Sequence, residues 1–111
     1  MGMIEIRRYL TASGGDVVGQ RLAGLGDARA RAKIAARLAR VQAGNFGDCK
    51  PVGEGVWELR VDWGPGYRVY YAMAGRSVIL LLYGGDKRTQ TADIATALEH
   101  WKDYKRRMGL K

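Results

Sequence analysis

The 111-residue sequence is poor in the residues that form disulfides and most metal sites. Cys49 is its single cysteine, which excludes a disulfide within the chain and any metal site built from cysteines alone. His100 is its single histidine, on a predicted helix, where a structural role is the favoured interpretation. We therefore expect neither a metal nor a cofactor.

Long hydrophobic runs are also lacking. The longest, Val78–Tyr83, suits one buried strand and falls far short of the roughly 20 apolar residues that cross a bilayer. The first ten residues contain Glu5, Arg7 and Arg8 and no apolar segment of the kind that secretory signals carry. We expect a cytoplasmic protein with no membrane partner. Because no repeat or proline-rich linker divides the chain, we also expect one domain over residues 1–111.

Acidic residues are in the minority: 11 Asp and Glu stand against 19 Lys and Arg, for a net charge of +8. Such a surplus attracts phosphate backbones, anionic membranes or an acidic protein partner, and by itself it does not choose among them.

Hydrophobic periodicity predicts an α+β fold in the order β-α-α-β-β-β-α, with a small twisted, mostly antiparallel sheet flanked by helices. On the second helix, Ile34, Leu38 and Val41 share the apolar face, and Arg29, Lys33, Arg37 and Arg40 lie largely elsewhere. The predicted strands are Met3–Tyr9, Val56–Asp62, Tyr67–Met73 and Val78–Tyr83, with a shorter one around Lys50–Val52; the predicted helices are Val17–Leu25, a segment from an Asp27 N-cap to about Ala43, and a last helix capped by Thr89 or Thr91.

The two middle strands form a predicted hairpin, with Pro65 and Gly66 in positions that suit a type II turn. Because side chains alternate along a strand, Glu58, Arg60, Arg68 and Tyr70 are expected to converge on one polar face of the sheet. The next strand, Val78–Tyr83, is continuously apolar, which predicts burial on both of its faces and a central position. Lys87 and Arg88 follow that strand, in a loop that would border the polar face.

Such a surface suits RNA. Cleavage through the 2′-hydroxyl needs a base for that hydroxyl, cations for the charge on the phosphorane, and a proton donor for the leaving oxygen. Arginines make bidentate phosphate contacts, and Tyr70 could stack on a base or donate a proton. The alternative is that Arg60 and Arg68 merely pair with Glu58 and Asp62 in a cross-strand charge ladder.

Three segments together resemble the addiction module killer, HigB-like branch of the RelE/ParE toxin superfamily. They are Arg40–Asp48, Trp57–Tyr71 and Leu81–Ile94, and their order and separation fit over about residues 3–106. The resemblance implies a RelE-like fold and a toxin of a type II toxin–antitoxin system. Many relatives enter the ribosomal A site and cut mRNA there without a metal; others of the same fold poison DNA gyrase and have no nuclease site.

By position, Arg60 and Arg68 match the strand arginines of that family and Lys87 its lysine after the central strand, so these three are the catalytic candidates. Glu58, Tyr70, Arg88 and Lys50 are the candidates for RNA binding. His100 and Tyr104 lie near the C-terminal position where several relatives carry a catalytic Tyr or His, and their roles stay open. The expected partners are mRNA on the ribosome and a helix-turn-helix antitoxin, through which alone operator DNA would be bound.

Overall fold

The computed structural model describes residues 3–111, which form a five-stranded mixed sheet with helices on both faces. The strand order is β1-β5-β4-β3-β2; β1 runs parallel to β5 and every other pair is antiparallel. The elements are β1 (Glu5–Arg8), α1 (Val17–Ala23), α2 (Ala28–Gln42), β2 (Cys49–Gly53), β3 (Val56–Val61), β4 (Tyr67–Gly75), β5 (Val78–Asp86) and α3 (Gln90–Arg107), with a single 3-10 turn at Lys87–Thr89 before α3.

The predicted fold class is confirmed, with one more strand than the predicted order contains. The additional strand is β2, which contains the short segment around Lys50–Val52. It pairs with β3 at the edge of the sheet. Asp27 caps α2 as expected, because its carboxylate accepts a hydrogen bond from the Ala30 N–H at 3.0 Å. The hydrogen bond of the hairpin turn joins Gly66 N–H to Trp63 O, one residue earlier than the predicted turn, and Gly66 keeps the positive φ expected there.

Two adjacent glycines in β5 show how closely the helices approach the sheet. A side chain on Gly84 would collide with Leu22 and approach Leu25 at the C-terminal end of α1, and one on Gly85 would collide with Asp93 of α3. Because consecutive residues of a strand point to opposite faces, α1 and α3 must cover opposite faces of the sheet. The strand β5 is buried on both faces, as predicted, although β4 and not β5 is the central strand.

The core lies between these layers. On the α1–α2 face it contains Ile34 and Val41 of α2, which are buried with Leu59 and Val69 of the hairpin. On the other face Trp101 and Ala97 of α3 are buried. At the end of the hairpin away from the turn, two apolar side chains are not buried: Trp57 and Met73 are 38% and 43% exposed. No helix among residues 3–111 is long and apolar enough to cross a membrane.

Candidate functional site

The register of the β3–β4 hairpin brings the two predicted catalytic arginines together. Arg60 and Arg68 are direct cross-strand partners, and Glu58 is paired with Tyr70 one step further along the same face. The predicted convergence of these four side chains is therefore present. Lys50 on β2 lies opposite Glu58 and is exposed at the sheet edge.

Two of the four side chains do not face solvent, so the prediction that Glu58 and Tyr70 bind RNA on an open sheet face is wrong. Both are completely buried, because the first turn of α3 lies over them. The Gln90 side chain of that turn donates to Glu58 Oε2 at 2.7 Å, and the Tyr70 hydroxyl donates to the same oxygen at 3.1 Å. Tyr70 can therefore neither stack on a base nor reach a leaving group.

The buried carboxylate organises the two arginines. Arg60 Nε donates to Glu58 Oε1 at 3.3 Å, and Arg68 Nε lies 3.6 Å from the same oxygen. Burial by itself raises the pKa of Glu58, but the hydrogen bonds from Gln90, Tyr70 and Arg60 and the charge of Arg68 outweigh it, and the pKa lies below its ordinary value. Burial, and after it the charge of Glu58, raise the pKa of the Tyr70 hydroxyl. Glu58 is thus ionised at neutral pH and Tyr70 protonated.

The charge-ladder alternative is therefore true of Glu58 but not of Asp62, which forms no ion pair with any residue from Met3 onward. Glu58 contacts only the Nε side of each guanidinium. The terminal nitrogens of Arg60 and Arg68 make no hydrogen bond within residues 3–111; the Arg60 side chain is 35% exposed and that of Arg68 only 13%, with Arg68 Nε buried and without a hydrogen-bond partner in the described residues. The free terminal nitrogens are the groups able to hold an anion.

An opening of about 210 Å³ lies over the arginine pair. Asp48, Asp62 and Gly66 line it together with Arg60 and Arg68. Lys87 borders it, since its backbone N–H donates to Gly66 O at 2.9 Å and its Cβ lies within 4 Å of the space that a Gly66 side chain would fill. We call this opening the arginine site. Its lining balances two arginines against two aspartates, so a ligand there would meet both cations and hydrogen-bond acceptors.

Arg88 has a partner within the fold. Its side chain is 77% exposed and pairs with Asp86 at 2.7 Å. That hydrogen bond is the chief reason why the pKa of Asp86 lies below its ordinary value. Arg88 is therefore a paired surface cation that follows Lys87 in the chain, and its RNA contact remains a prediction.

His100 and Tyr104 lie away from the arginine site. His100 stacks on Tyr9, with ring centroids 4.2 Å apart, and its Nδ1 is 2.6 Å from the carbonyl oxygen of Leu82, so the nitrogen donates there. Tyr104 stacks on Trp101. Both rings pack α3 against its neighbours, and neither is placed to act on a phosphate at Arg60 and Arg68.

Gln90 and Arg37 are functional-site residues that the sequence prediction missed. Nothing in the pattern marks Gln90, because its contact to Glu58 spans 32 residues. The periodicity of α2 predicts Arg37 largely away from the apolar face, yet it is 5% exposed and its Nε donates to Arg60 O at 3.1 Å. Its spacing from Ile34 and Val41, three and four residues, is the signal that places it on the buried stripe.

The fold and site define a basic α+β protein with an opening of about 210 Å³ over an arginine pair at the end of a β-hairpin. Residues 24–106 match the family model described as phage derived protein Gp49-like (DUF891), so the chain belongs to that family. The match includes every residue of the arginine site. An uncharacterized protein of Haemophilus influenzae is 53% identical over 76 residues, which is 68% of this chain and 77% of that protein.

Proposed function

We propose that this protein is the toxin of a toxin–antitoxin pair, an endoribonuclease that cuts mRNA on the ribosome in the cytoplasm. The observation that carries the proposal is the pairing of Arg60 with Arg68 across one hairpin, with terminal nitrogens that no residue from Met3 to Lys111 occupies. The resemblance of the hairpin and of the segment after β5 to RelE/ParE toxins supports it.

The chemistry assigned to the site is attack of a ribose 2′-hydroxyl on the adjacent phosphorus, which displaces the 5′-oxygen of the next nucleotide. Arg60 and Arg68 would stabilise the extra negative charge of the phosphorane, and Lys87 would donate a proton to the leaving oxygen. Glu58 is buried and Tyr70 is covered, so the carboxylates left to accept the hydroxyl proton are Asp48 and Asp62 at the rim. A site with cations in place but no buried, prepositioned base is consistent with a toxin that acts only on the ribosome, where the mRNA conformation is imposed from outside.

Arg68→Ala tests the proposal. Loss of one such charge stabiliser costs on the order of a hundredfold in rate. We expect growth arrest on expression to disappear and ribosome-dependent cuts in a translation assay to fall about that much. Arg76→Ala, an exposed arginine in the β4–β5 turn, is the matched control and should stay toxic. Arg68→Lys keeps the charge next to Glu58 but cannot make a bidentate contact. If it folds normally and has also lost toxicity, the loss in Arg68→Ala is not due to a fold defect. Intact mRNA during growth arrest by the unmodified protein would refute the nuclease.

A second candidate function is favoured by one observation: Glu58 neutralises part of the charge of both arginines, and Tyr70 is not available as an acid. These features suit a toxin that binds a protein target, such as DNA gyrase, without cutting RNA. Supercoiling by purified gyrase distinguishes the two candidates, since only the second predicts inhibition. A chain that causes no growth arrest at all would be an inactivated remnant retained for its antitoxin.

The proposed partner is an antitoxin with a helix-turn-helix domain, which alone would contact operator DNA. A segment of it would cover the basic sheet face or the last helix by charge complementarity. The end of α3 offers a suitable mixed surface, where Met108 is 59% exposed beside Arg7, Arg8 and Arg107, and Leu110, two residues further on, is 47% exposed. If the gene beside this one encodes such a protein, co-expression should suppress growth arrest. Met108→Asp in the toxin should weaken the complex, and Glu99→Asp should leave it unchanged.

A further inference from the structure

A second and larger basic cleft lies beside the arginine site. It has a volume of about 500 Å³ and lies between α2 and the end of β3. Clefts of about 300–1,000 Å³ typically hold small organic ligands, so there is room for a nucleotide. We call it the α2 cleft. The charged side chains that line it are Lys33, Arg37, Arg40, Arg60, Asp48 and Asp62.

One wall of the α2 cleft is built on a buried arginine. Beyond the end of β2, the edge of β3 has no neighbouring strand, and the Arg37 side chain supplies hydrogen bonds there instead. Its guanidinium donates to the carbonyl oxygens of Arg60, Phe46 and Asp48. Its Nη1 makes no hydrogen bond with any residue in the described part of the chain. Gly47 is tightly apposed to this guanidinium and has a φ of +60°, so only a glycine leaves the group room. A rigid cation with a donor to spare therefore faces the cleft.

The remaining α2 cations are free. Lys33 and Arg40 are exposed and form no ion pair with any residue between Met3 and Lys111. Lys33 Nζ lies 4.9 Å from the centre of the Trp63 ring, which keeps the ammonium at the mouth of the cleft. Because no carboxylate of residues 3–111 lies within ion-pair distance of these exposed groups, they are available to a phosphate at little desolvation cost.

The two openings adjoin each other along shared residues. Asp48, Arg60, Val61 and Asp62 line both the arginine site and the α2 cleft. We propose that the α2 cleft binds the nucleotides that adjoin the phosphate at Arg60 and Arg68, with Lys33 and Arg40 each contacting a backbone phosphate. This inference rests on the proposed function, because it extends the same RNA chain beyond the scissile bond.

The acidic residues of the cleft favour RNA over an acidic peptide. Asp48 and Asp62 would repel peptide carboxylates and RNA phosphates alike, so the difference lies in the hydrogen-bond donors that each ligand offers to them, and acidic side chains offer none when ionised. Toward RNA they are useful, since carboxylates accept hydrogen bonds from ribose hydroxyls and from base amino groups, whereas the cations take the phosphates. A mixed lining of this kind matches a nucleotide better than it matches a simple anion.

The test is the salt dependence of binding to a fluorescein-labelled RNA octanucleotide, followed by fluorescence anisotropy. For a single strand, log K falls with log [salt] by about 0.7 per phosphate contacted, so Lys33→Ala/Arg40→Ala should reduce the slope by about 1.4 and weaken binding at low salt. The matched control is Arg29→Ala/Arg76→Ala, which removes the same charge from exposed positions outside the cleft and should keep the wild-type slope. Both variants alter exposed side chains, so circular dichroism should show the same fold.

The outcomes separate this inference from the proposed function. If Arg68→Ala impairs binding and Lys33→Ala/Arg40→Ala does not, the α2 cleft is not part of the RNA path and the proposed function stands. If the unmodified protein does not bind the octanucleotide, the inference is overturned, whereas the proposed function is decided by ribosome-dependent cleavage of mRNA. If a labelled oligoglutamate peptide binds as tightly as RNA and depends equally on Lys33 and Arg40, the cleft belongs to an acidic protein partner and the inference fails.

Discussion

The arginine site and the α2 cleft lie side by side, but their cations differ in whether a carboxylate is paired with them. In the arginine site, Arg60 and Arg68 share the buried carboxylate of Glu58, and in the α2 cleft Lys33 and Arg40 have no acidic partner among residues 3–111. A buried charge must be paired, because an unpaired one costs several kcal/mol to desolvate, whereas an exposed cation needs no partner. The cations of the first region are therefore part of the folded core, whereas Lys33 and Arg40 of the second are exposed and only its Arg37 is buried.

Replacing Glu58 should have the largest effect on stability, because only the arginine site depends on a buried carboxylate. Glu58→Ala leaves Arg60 and Arg68 uncompensated and removes the acceptor of Tyr70 and Gln90, so we expect a loss of about 3–5 kcal/mol in the free energy of unfolding. Urea denaturation followed by circular dichroism measures it. Glu99→Ala, at an exposed position of α3, is the control. A loss below about 1 kcal/mol for Glu58→Ala would show that the cluster is not a structural element.

The cluster should also make stability depend on pH. Because the pKa of folded Glu58 lies below its ordinary value of 4.5, its contribution is complete above that value and is lost as the pH falls through the folded pKa. The unfolding midpoint of the unmodified protein should therefore drop as the pH is lowered from about 5 toward 3. Glu58→Gln should have a flatter profile over that range, and Lys33→Ala/Arg40→Ala should follow the unmodified protein. Parallel profiles for Glu58→Gln and the unmodified protein would contradict the assignment.

Tyr70→Phe gives a smaller and more selective effect. It removes one buried hydrogen bond to Glu58 and no packing volume, so we expect a loss of about 1–2 kcal/mol. Growth arrest and RNA binding should be unchanged, because the hydroxyl is buried beneath α3. Tyr104→Phe, whose hydroxyl makes no hydrogen bond within residues 3–111, is the control for stability. Loss of RNA cleavage in a folded Tyr70→Phe protein would restore a direct role for Tyr70.

The burial of Glu58 and Tyr70 shows what a sequence can and cannot predict here. Alternation in the hairpin correctly placed Glu58, Arg60, Arg68 and Tyr70 on one face, because the period of a strand is fixed by its backbone. The uniform apolarity of Val78–Tyr83 also predicted helices on both faces of the sheet. Extending that inference to the neighbouring strand would have put Tyr70 under a helix.

The long-range contacts of the cluster have no such local signal. Gln90 reaches Glu58 only because the 3-10 turn at Lys87–Thr89 lays the start of α3 over the hairpin. Similarly, one wall of the α2 cleft depends on the hydrogen bond from Arg37 to the Arg60 carbonyl oxygen, two residues that are 23 positions apart in the sequence. Periodicity defines the face of an element, and it does not define which end of a neighbouring element lies above it.

Arg88 is a predicted RNA-binding residue that also has an ion-pair partner within the fold. Its replacement has the smallest expected effect on stability. Its ion pair with Asp86 is at the surface, since the Arg88 side chain is 77% exposed, so Arg88→Ala should leave the midpoint of urea denaturation nearly unchanged. Its effect on RNA is the sharper measurement. If Arg88 binds a phosphate as predicted, the salt slope for the octanucleotide should fall by about 0.7, half the change expected for Lys33→Ala/Arg40→Ala. An unchanged salt slope in Arg88→Ala would show that Arg88 contacts Asp86 and no phosphate, because removal of a phosphate contact must lower the slope.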